Sequence, residues 1–167
     1  KPLAAYAPAI DTGLLMPGSI IIDEPVTYGG WSPKNWDGKY IGPTTVRHGI
    51  WHSINVLAVK TFMMVGADTA YQYLLDFGFT TIDERDKAAT TALGGLTQGV
   101  SVLEQTAAYA TIANGGTYYE PMFYSVVYDH DGNVLLDNSE QETHRVLKET
   151  TAFLLTDMMR DVITKGT

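Results

Sequence analysis

The spacing of apolar residues in this chain predicts mostly helices and only one clear β-hairpin. The strongest helical pattern covers residues 152–163, whose apolar stripe is formed by Leu155, Met158, Met159 and Val162. Further helices are predicted over residues 3–10, 45–52, 55–65, 68–77 and 101–112, a short strand over 19–23 and the hairpin over 122–137. A lone hairpin buries an apolar face poorly. We therefore expect an α+β fold, of mixed α/β composition, in which the hairpin packs on the 152–163 helix and the remaining strands come from sequence outside this chain.

Composition and charge exclude several functions. The 167 residues are 45% hydrophobic and 18% charged, which suits one folded domain with its own core. The formal net charge is −8, and the acidic residues are spread along the chain, which argues against nucleic acid and against an anionic membrane surface. The chain contains no cysteine, so disulfides, thiolate metal ligands and cysteine nucleophiles are excluded.

No metal or cofactor site is predicted. His48 and His52 have the i, i+4 spacing of a zinc pair, but no Glu follows His48 and no third ligand is apparent. Asp129 and Asp131 resemble the start of a calcium loop, but Gly132 comes too early for one. The glycine pairs form no phosphate-binding fingerprint.

An ordered set of short segments runs along nearly the whole chain. These segments are 35–43 (NWDGKYIGP), 45–47 (TVR), 53–55 (SIN), 93–101 (LGGLTQGVS), 108–110 (AYA), 113–116 (ANGG), 120–121 (EP), 131–135 (DGNVL) and 154–158 (LLTDM). Each could arise by chance, but the ordered set resembles the transpeptidase domain of class A, or bifunctional, penicillin-binding proteins. The resemblance implies the penicillin-binding transpeptidase fold, which is like that of serine β-lactamases.

Enzymes of this kind use three motifs, Ser-x-x-Lys, Ser-x-Asn and Lys-Thr-Gly, and only the second is complete here. It lies at Ser53-Ile54-Asn55. As bare residues, such a triplet between helices usually serves capping or turn formation. The resemblance implies instead that Ser53 relays a proton between the motif lysine and the leaving nitrogen. Asn55 would bind the amide of the substrate's penultimate residue and help to hold the lysine.

The two ends of the chain resemble the other two motifs only partly. Lys1-Pro2-Leu3 is similar to the end of Ser-x-x-Lys, which places the nucleophilic serine three residues upstream, outside this chain. A lysine acts as the base only if its pKa is lowered; the alternative is a solvated terminal residue. Residues 165–167 read Lys-Gly-Thr, the wrong order for the third motif, and Gly166 is predicted to cap a helix. Residues 1–167 are thus expected to be an incomplete transpeptidase domain that is inactive alone.

Trp36 lies in the Gly- and Pro-rich loop that precedes the Ser-x-Asn triplet. The resemblance implies that it lines the rim of the cleft and contacts the donor peptide. The alternative is that its ring is an anchor that orders the loop.

The implied function is that of a serine D,D-transpeptidase that cross-links peptidoglycan and is acylated by β-lactams. Its partners would be stem peptides ending in D-Ala-D-Ala and β-lactam antibiotics. The parent protein would be bacterial and would carry an upstream glycosyltransferase domain and an anchor in the cytoplasmic membrane, facing outward. Three alternatives remain open: a serine β-lactamase or β-lactam sensor, a catalytically dead peptidoglycan-binding relative, and an unrelated acidic α+β binding module.

Overall fold

The computed structural model describes residues 1–166, in which the predicted helices are all present. They are α1 (Ala7–Asp11), α2 (Val46–Trp51), α3 (Asn55–Val65), α4 (Ala67–Asp76), α5 (Val102–Ala113) and α6 (Glu149–Lys165). A π-helical turn at Pro2–Tyr6 leads into α1, and short 3₁₀ turns at Glu84–Asp86 and Ala89–Leu93 lie between α4 and α5. The architecture is a mixed helix and sheet fold, as predicted.

Six short strands form three separate antiparallel pairs in the described residues. The pairs are β1 (Ile20–Asp23) with β2 (Gly42–Thr45), β3 (Thr117–Tyr119) with β6 (Thr143–Arg145), and β4 (Val126–Tyr128) with β5 (Val134–Asp137). The β4–β5 pair is the predicted hairpin and β1 is the predicted short strand, whereas β2, β3 and β6 were not predicted. Strands of three or four residues that pair with distant segments leave too little alternation to be detected from sequence.

Helix α3 lies at the centre of the core. Leu57, Val59 and Phe62 on this helix are buried, and the π-helical turn packs against it through the fully buried ring of Tyr6. This packing holds the N-terminal turn beside the segment that joins α2 to α3. The position of Lys1 is therefore fixed by the core of the domain.

Helix α6 packs on α1, α2 and α5 through the predicted stripe, with Leu155 and Met158 fully buried. The β4–β5 hairpin was predicted to cover this stripe, and that prediction was wrong, because the other helices already occupy it. All of β5 is instead exposed. Arg47 of α2 also binds α6, through ion pairs with Asp157 and Asp161.

The start of α6 is tied back to the N-terminal helix. The backbone N–H of Lys148 donates to Asp11 Oδ1 (2.8 Å), and its Nζ donates to the Asp11 carbonyl (2.7 Å).

At the other end Gly166 caps α6, and its N–H donates to the Val162 carbonyl. A side chain at Gly166 would collide with the Trp51 carbonyl at the end of α2. Helices α2 and α6 are therefore in close contact where α2 ends. Thr167, the last residue of the Lys-Gly-Thr segment, lies outside the described residues.

Within residues 1–166, no helix is both long and apolar enough to cross a membrane.

Candidate active site

The turn between α2 and α3 places Ser53 in a left-handed backbone conformation. Its φ is +53°, the one positive φ of a non-glycine residue among those described. Two backbone hydrogen bonds close the turn, from Ser53 N–H to the Ile50 carbonyl (3.0 Å) and from Ile54 N–H to the Gly49 carbonyl (2.9 Å). Non-glycine residues adopt this conformation at an energetic cost and only where the surroundings impose it. The turn thus sets the direction of the Ser53 side chain.

Lys1 meets this turn across 52 positions of sequence. Its Nζ donates to the Ser53 carbonyl (2.5 Å) and to Ser53 Oγ (2.7 Å). The structure therefore brings together two of the side chains singled out from the sequence. A hydroxyl at this distance from an amine can exchange a proton with it directly.

Burial lowers the pKa of the Lys1 side chain from 10.5 to about 8. The cause is desolvation beside a cleft of about 360 Å³, whose apolar lining includes Pro2, Tyr6, Ile50 and Met159. The unfolded chain keeps this proton up to a higher pH than the folded chain does. Burial of Lys1 therefore opposes folding fully below pH 8, and the penalty fades as the pH rises from 8 to 10.5.

We expect the Lys1 side chain to titrate near pH 8 in a ¹³C NMR titration of its ε-methylene group. An exposed lysine in a model peptide, measured in parallel, should titrate at about 10.4. Coincident curves for Lys1 and the peptide would instead support the alternative that Lys1 is a solvated terminal residue.

The side chains of Ser53 and Asn55 do not cap a helix, which was the alternative interpretation of the triplet. Helix α3 follows Ile54 and has no cap from a neighbouring side chain. Ser53 Oγ faces Lys1, while Asn55 Nδ2 donates to the Lys34 carbonyl (2.8 Å). Among the described residues Asn55 makes no hydrogen bond to Lys1, so its expected part in holding the lysine is not seen here. Its Oδ1 has no hydrogen-bond partner among them, which leaves an acceptor free.

Trp36 lies on the other side of the same turn. It is 83% exposed and lines a second cleft of about 250 Å³ together with His48, His52 and Ile54. A ring this exposed is not an anchor of its loop. Trp36 does not line the cleft beside Lys1, and its contact with a donor peptide stays a prediction.

The two histidines of the second cleft are engaged with neighbouring side chains. His48 Nδ1 lies 2.9 Å from Thr44 Oγ1, and the His48 ring stacks at a tilt on His52. Burial and then the neighbouring His52 lower the pKa of His48. Residues 1–166 contain no group of three or more His, Cys, Asp or Glu side chains arranged to hold a metal ion.

Asn35 is the residue of this region to which sequence reasoning assigned no role. Its side chain is 8% exposed and hydrogen-bonds both to β1 and to the start of α3. The signal for it was indirect: Ile54 cannot cap α3, so another polar side chain must.

Known proteins are similar to this chain over its full length. The family described as penicillin-binding protein transpeptidase domain matches residues 1–167. Penicillin-binding protein 1F of Bacillus subtilis is 41% identical over 167 residues, which are 100% of this chain and 23% of that protein. Penicillin-binding protein 1A of Streptococcus pneumoniae is 37% identical over 177 residues, covering 100% of this chain and 24% of that protein. The chain thus spans about a quarter of the length of these curated relatives.

The fold is similar to that of solved structures as well. The crystal structure of penicillin-binding protein 1A from Haemophilus influenzae matches with a TM-score of 0.84 and 26% identity, over 100% of this chain and 29% of that one. The D,D-transpeptidase domain of the peptidoglycan glycosyltransferase from Eggerthella lenta matches in fold with a TM-score of 0.82 at 20% identity, over 98% of this chain and 47% of that one.

Proposed function

Because the chain belongs to the penicillin-binding protein transpeptidase family, we propose that it forms the inner part of a serine D,D-transpeptidase that cross-links peptidoglycan. The observation that carries the proposal is the contact between Lys1 Nζ and Ser53 Oγ, at 2.7 Å and at a partly buried position. A lysine with a lowered pKa beside a hydroxyl is suited to activate a nucleophile and to return its proton.

In the proposed reaction, a serine three residues upstream of Lys1 attacks the carbonyl carbon of the penultimate D-alanine of a stem peptide. Its proton passes to the neutral Lys1 amine. The bond from that carbonyl carbon to the leaving nitrogen breaks, and Ser53 passes the proton from Lys1 to this nitrogen, so that D-alanine leaves and an acyl-enzyme remains. An amine of a second stem peptide then attacks the ester carbonyl to form the new amide bond, and the proton that this amine loses passes to the displaced serine oxygen. β-Lactams would acylate the same serine, and the reaction would stop at that acyl-enzyme.

The proposed role of Asn55 is to bind the donor. Its free Oδ1 would accept from the amide of the substrate's penultimate residue, while its Nδ2 stays on the Lys34 carbonyl. Trp36, exposed at the second cleft, would contact the same peptide further from the reacting carbonyl. The parent protein would carry an upstream glycosyltransferase domain and a membrane anchor, and it would act on the outer side of the bacterial cytoplasmic membrane.

The experiment that tests this function is labelling with a fluorescent penicillin, read on a denaturing gel. The full-length protein is expected to give a covalent band that persists for hours. The 167-residue chain contains no Ser-x-x-Lys sequence, so it should remain unlabelled for lack of a nucleophile. Purified full-length protein and the chain are compared at equal concentration.

The other outcomes separate the alternative functions. A full-length band that disappears within seconds, with release of hydrolysed penicillin, would indicate a β-lactamase. No band from a folded full-length protein would indicate a catalytically dead relative. Labelling of the 167-residue chain itself would show that the nucleophile has been placed wrongly.

A further inference from the structure

Helix α3 begins without a polar residue of its own to satisfy its first N–H groups. Its N-cap is Ile54, whose side chain has no acceptor. The first N–H groups of a helix have no partner inside the helix and need an acceptor from elsewhere. Asn35, twenty residues earlier, provides it: its Oδ1 accepts from Asn55 N–H (3.1 Å) and from Val56 N–H (3.2 Å).

The amide nitrogen of Asn35 is also fully hydrogen-bonded. Its Nδ2 donates to both carboxylate oxygens of Asp23, at 2.9 and 3.0 Å, and to the Lys39 carbonyl at 2.8 Å. All partners of the nitrogen are acceptors and all partners of the oxygen are donors, so one orientation of the amide satisfies every contact. Asp23 is itself 2% exposed and also accepts from Ile41 N–H (3.0 Å).

Two neighbours of Asn35 belong to the proposed substrate site. Lys34 offers its carbonyl to Asn55 Nδ2, so consecutive loop residues hold both the backbone and the side chain of Asn55. Trp36 follows directly in the sequence, and its ring is exposed whereas the Asn35 side chain is buried. One buried amide thus fixes the loop and the start of α3 relative to each other.

We propose that Asn35 is a positioning residue for the transpeptidase site, which acts by holding Asn55 in the orientation that binds the donor peptide. The inference rests on the proposed function, since that function gives Asn55 its role. Asp23 is the second member of the pair, because it orients the Asn35 amide from the β1 side.

The first test replaces Asn35 by aspartate in the full-length protein. Asn35→Asp keeps the shape of the side chain, but it removes the donor and places a second carboxylate against Asp23, so that repulsion moves the acceptor away from the first N–H groups of α3. We expect acylation by penicillin to slow about 10²-fold, the loss that a misplacement of roughly 1 Å produces. The exchanged pair, Asp23→Asn with Asn35→Asp, restores a donor between positions 23 and 35 and should recover part of the rate.

A matched control separates positioning from loss of stability. Asp86, like Asp23, is 2% exposed and accepts three hydrogen bonds, from Asp83 N–H and from the N–H and hydroxyl of Thr97. It lies between α4 and α5. Asp86→Asn should lower the melting temperature without slowing acylation. If Asn35→Asp behaves in the same way, the proposal is wrong.

A double-mutant cycle asks whether Asn35 acts through Asn55. In an Asn55→Ala background, Asn35→Asp should slow acylation little further, because the group that it orients is gone. Fully additive effects of the two substitutions would contradict the proposal, as would a failure of the exchanged pair to recover any rate.

Hydrogen exchange on the same full-length variants separates failure of this proposal from failure of the proposed function. Peptides that cover residues 55 and 56 should exchange faster in Asn35→Asp than in Asp86→Asn, whether or not the protein reacts with penicillin. If the wild-type protein is never acylated but Asn35→Asp still exchanges faster than Asp86→Asn at these residues, the transpeptidase function is overturned and Asn35 remains a helix cap only. Unchanged exchange would overturn the positioning role itself.

Discussion

Replacing Ser53 by alanine in the full-length protein is expected to slow acylation by penicillin by about 10²- to 10⁴-fold, the usual contribution of a positioned proton-transfer group. The Ser53 side chain is exposed and its hydroxyl faces Lys1 Nζ at 2.7 Å, so its loss would remove the proposed proton relay and not a core contact. The second-order acylation rate constant, measured by stopped flow beside a thermal melt, reports both quantities. Asn55→Ala, which removes the proposed donor contact, is expected to slow the same step strongly with the fold intact.

Two further serine variants sharpen this result. Ser53→Gly relieves the cost of the +53° backbone angle, so it should be at least as stable as Ser53→Ala and equally slow. Ser101 caps α5 by accepting from Glu104 N–H, and Ser101→Ala should lose about 1 kcal/mol of stability without slowing acylation. A Ser53→Gly protein that reacts at the wild-type rate would show that the hydroxyl plays no part.

Replacing Lys1 by methionine in the full-length protein should slow acylation by a similar factor, about 10²- to 10⁴-fold. Methionine keeps an unbranched side chain in the cleft but cannot accept the serine proton. In the wild type, the acylation rate should rise with pH through about 8, as the Lys1 amine becomes neutral. The methionine variant should lose this rise, and a pH series of the acylation rate measures it.

Arginine at position 1 tests whether a positive charge alone is enough for acylation at the wild-type rate. A guanidinium stays protonated in proteins and cannot act as a base, so Lys1→Arg should be as slow as the methionine variant. Lys60, whose Nζ donates to the Ile22 carbonyl (2.7 Å) and to Glu24 (2.8 Å), is the matched control, and Lys60→Met should react normally. Wild-type rates from Lys1→Arg would mean that this position contributes only a positive charge.

The helices were predictable because their signals are local. The Ser101 and Glu104 capping box marks the start of α5 in the sequence and is present in the structure. The stripe of α6 is similarly visible, because apolar residues recur on one face over several turns. The ordered motifs likewise indicated the family, since each is read from contiguous residues.

What the sequence did not reveal depends on residues that meet only after folding. Strand β3 pairs with β6, and the register of Tyr118 opposite His144 leaves no mark in either segment alone. Asn35 was visible as part of a motif, but its role depends on Asp23 and on the start of α3, which reach it through the tertiary fold. The spacing of residues in the sequence also could not show that Asn55 and Lys1 make no hydrogen bond.

The link between Asp11 and Lys148 joins residues 137 positions apart, and this separation has a consequence for the order of assembly. The chain is synthesised from its N-terminus, so the turn that carries Lys1 leaves the ribosome long before α6 does. Helix α6 packs on α1 and α2 in the folded domain. Contacts between such distant residues form slowly, because a large loop must close first. Met159 and Val162 of α6 line the cleft beside Lys1. We therefore expect this cleft to be complete, and the Lys1 amine fully desolvated, only after translation has passed α6.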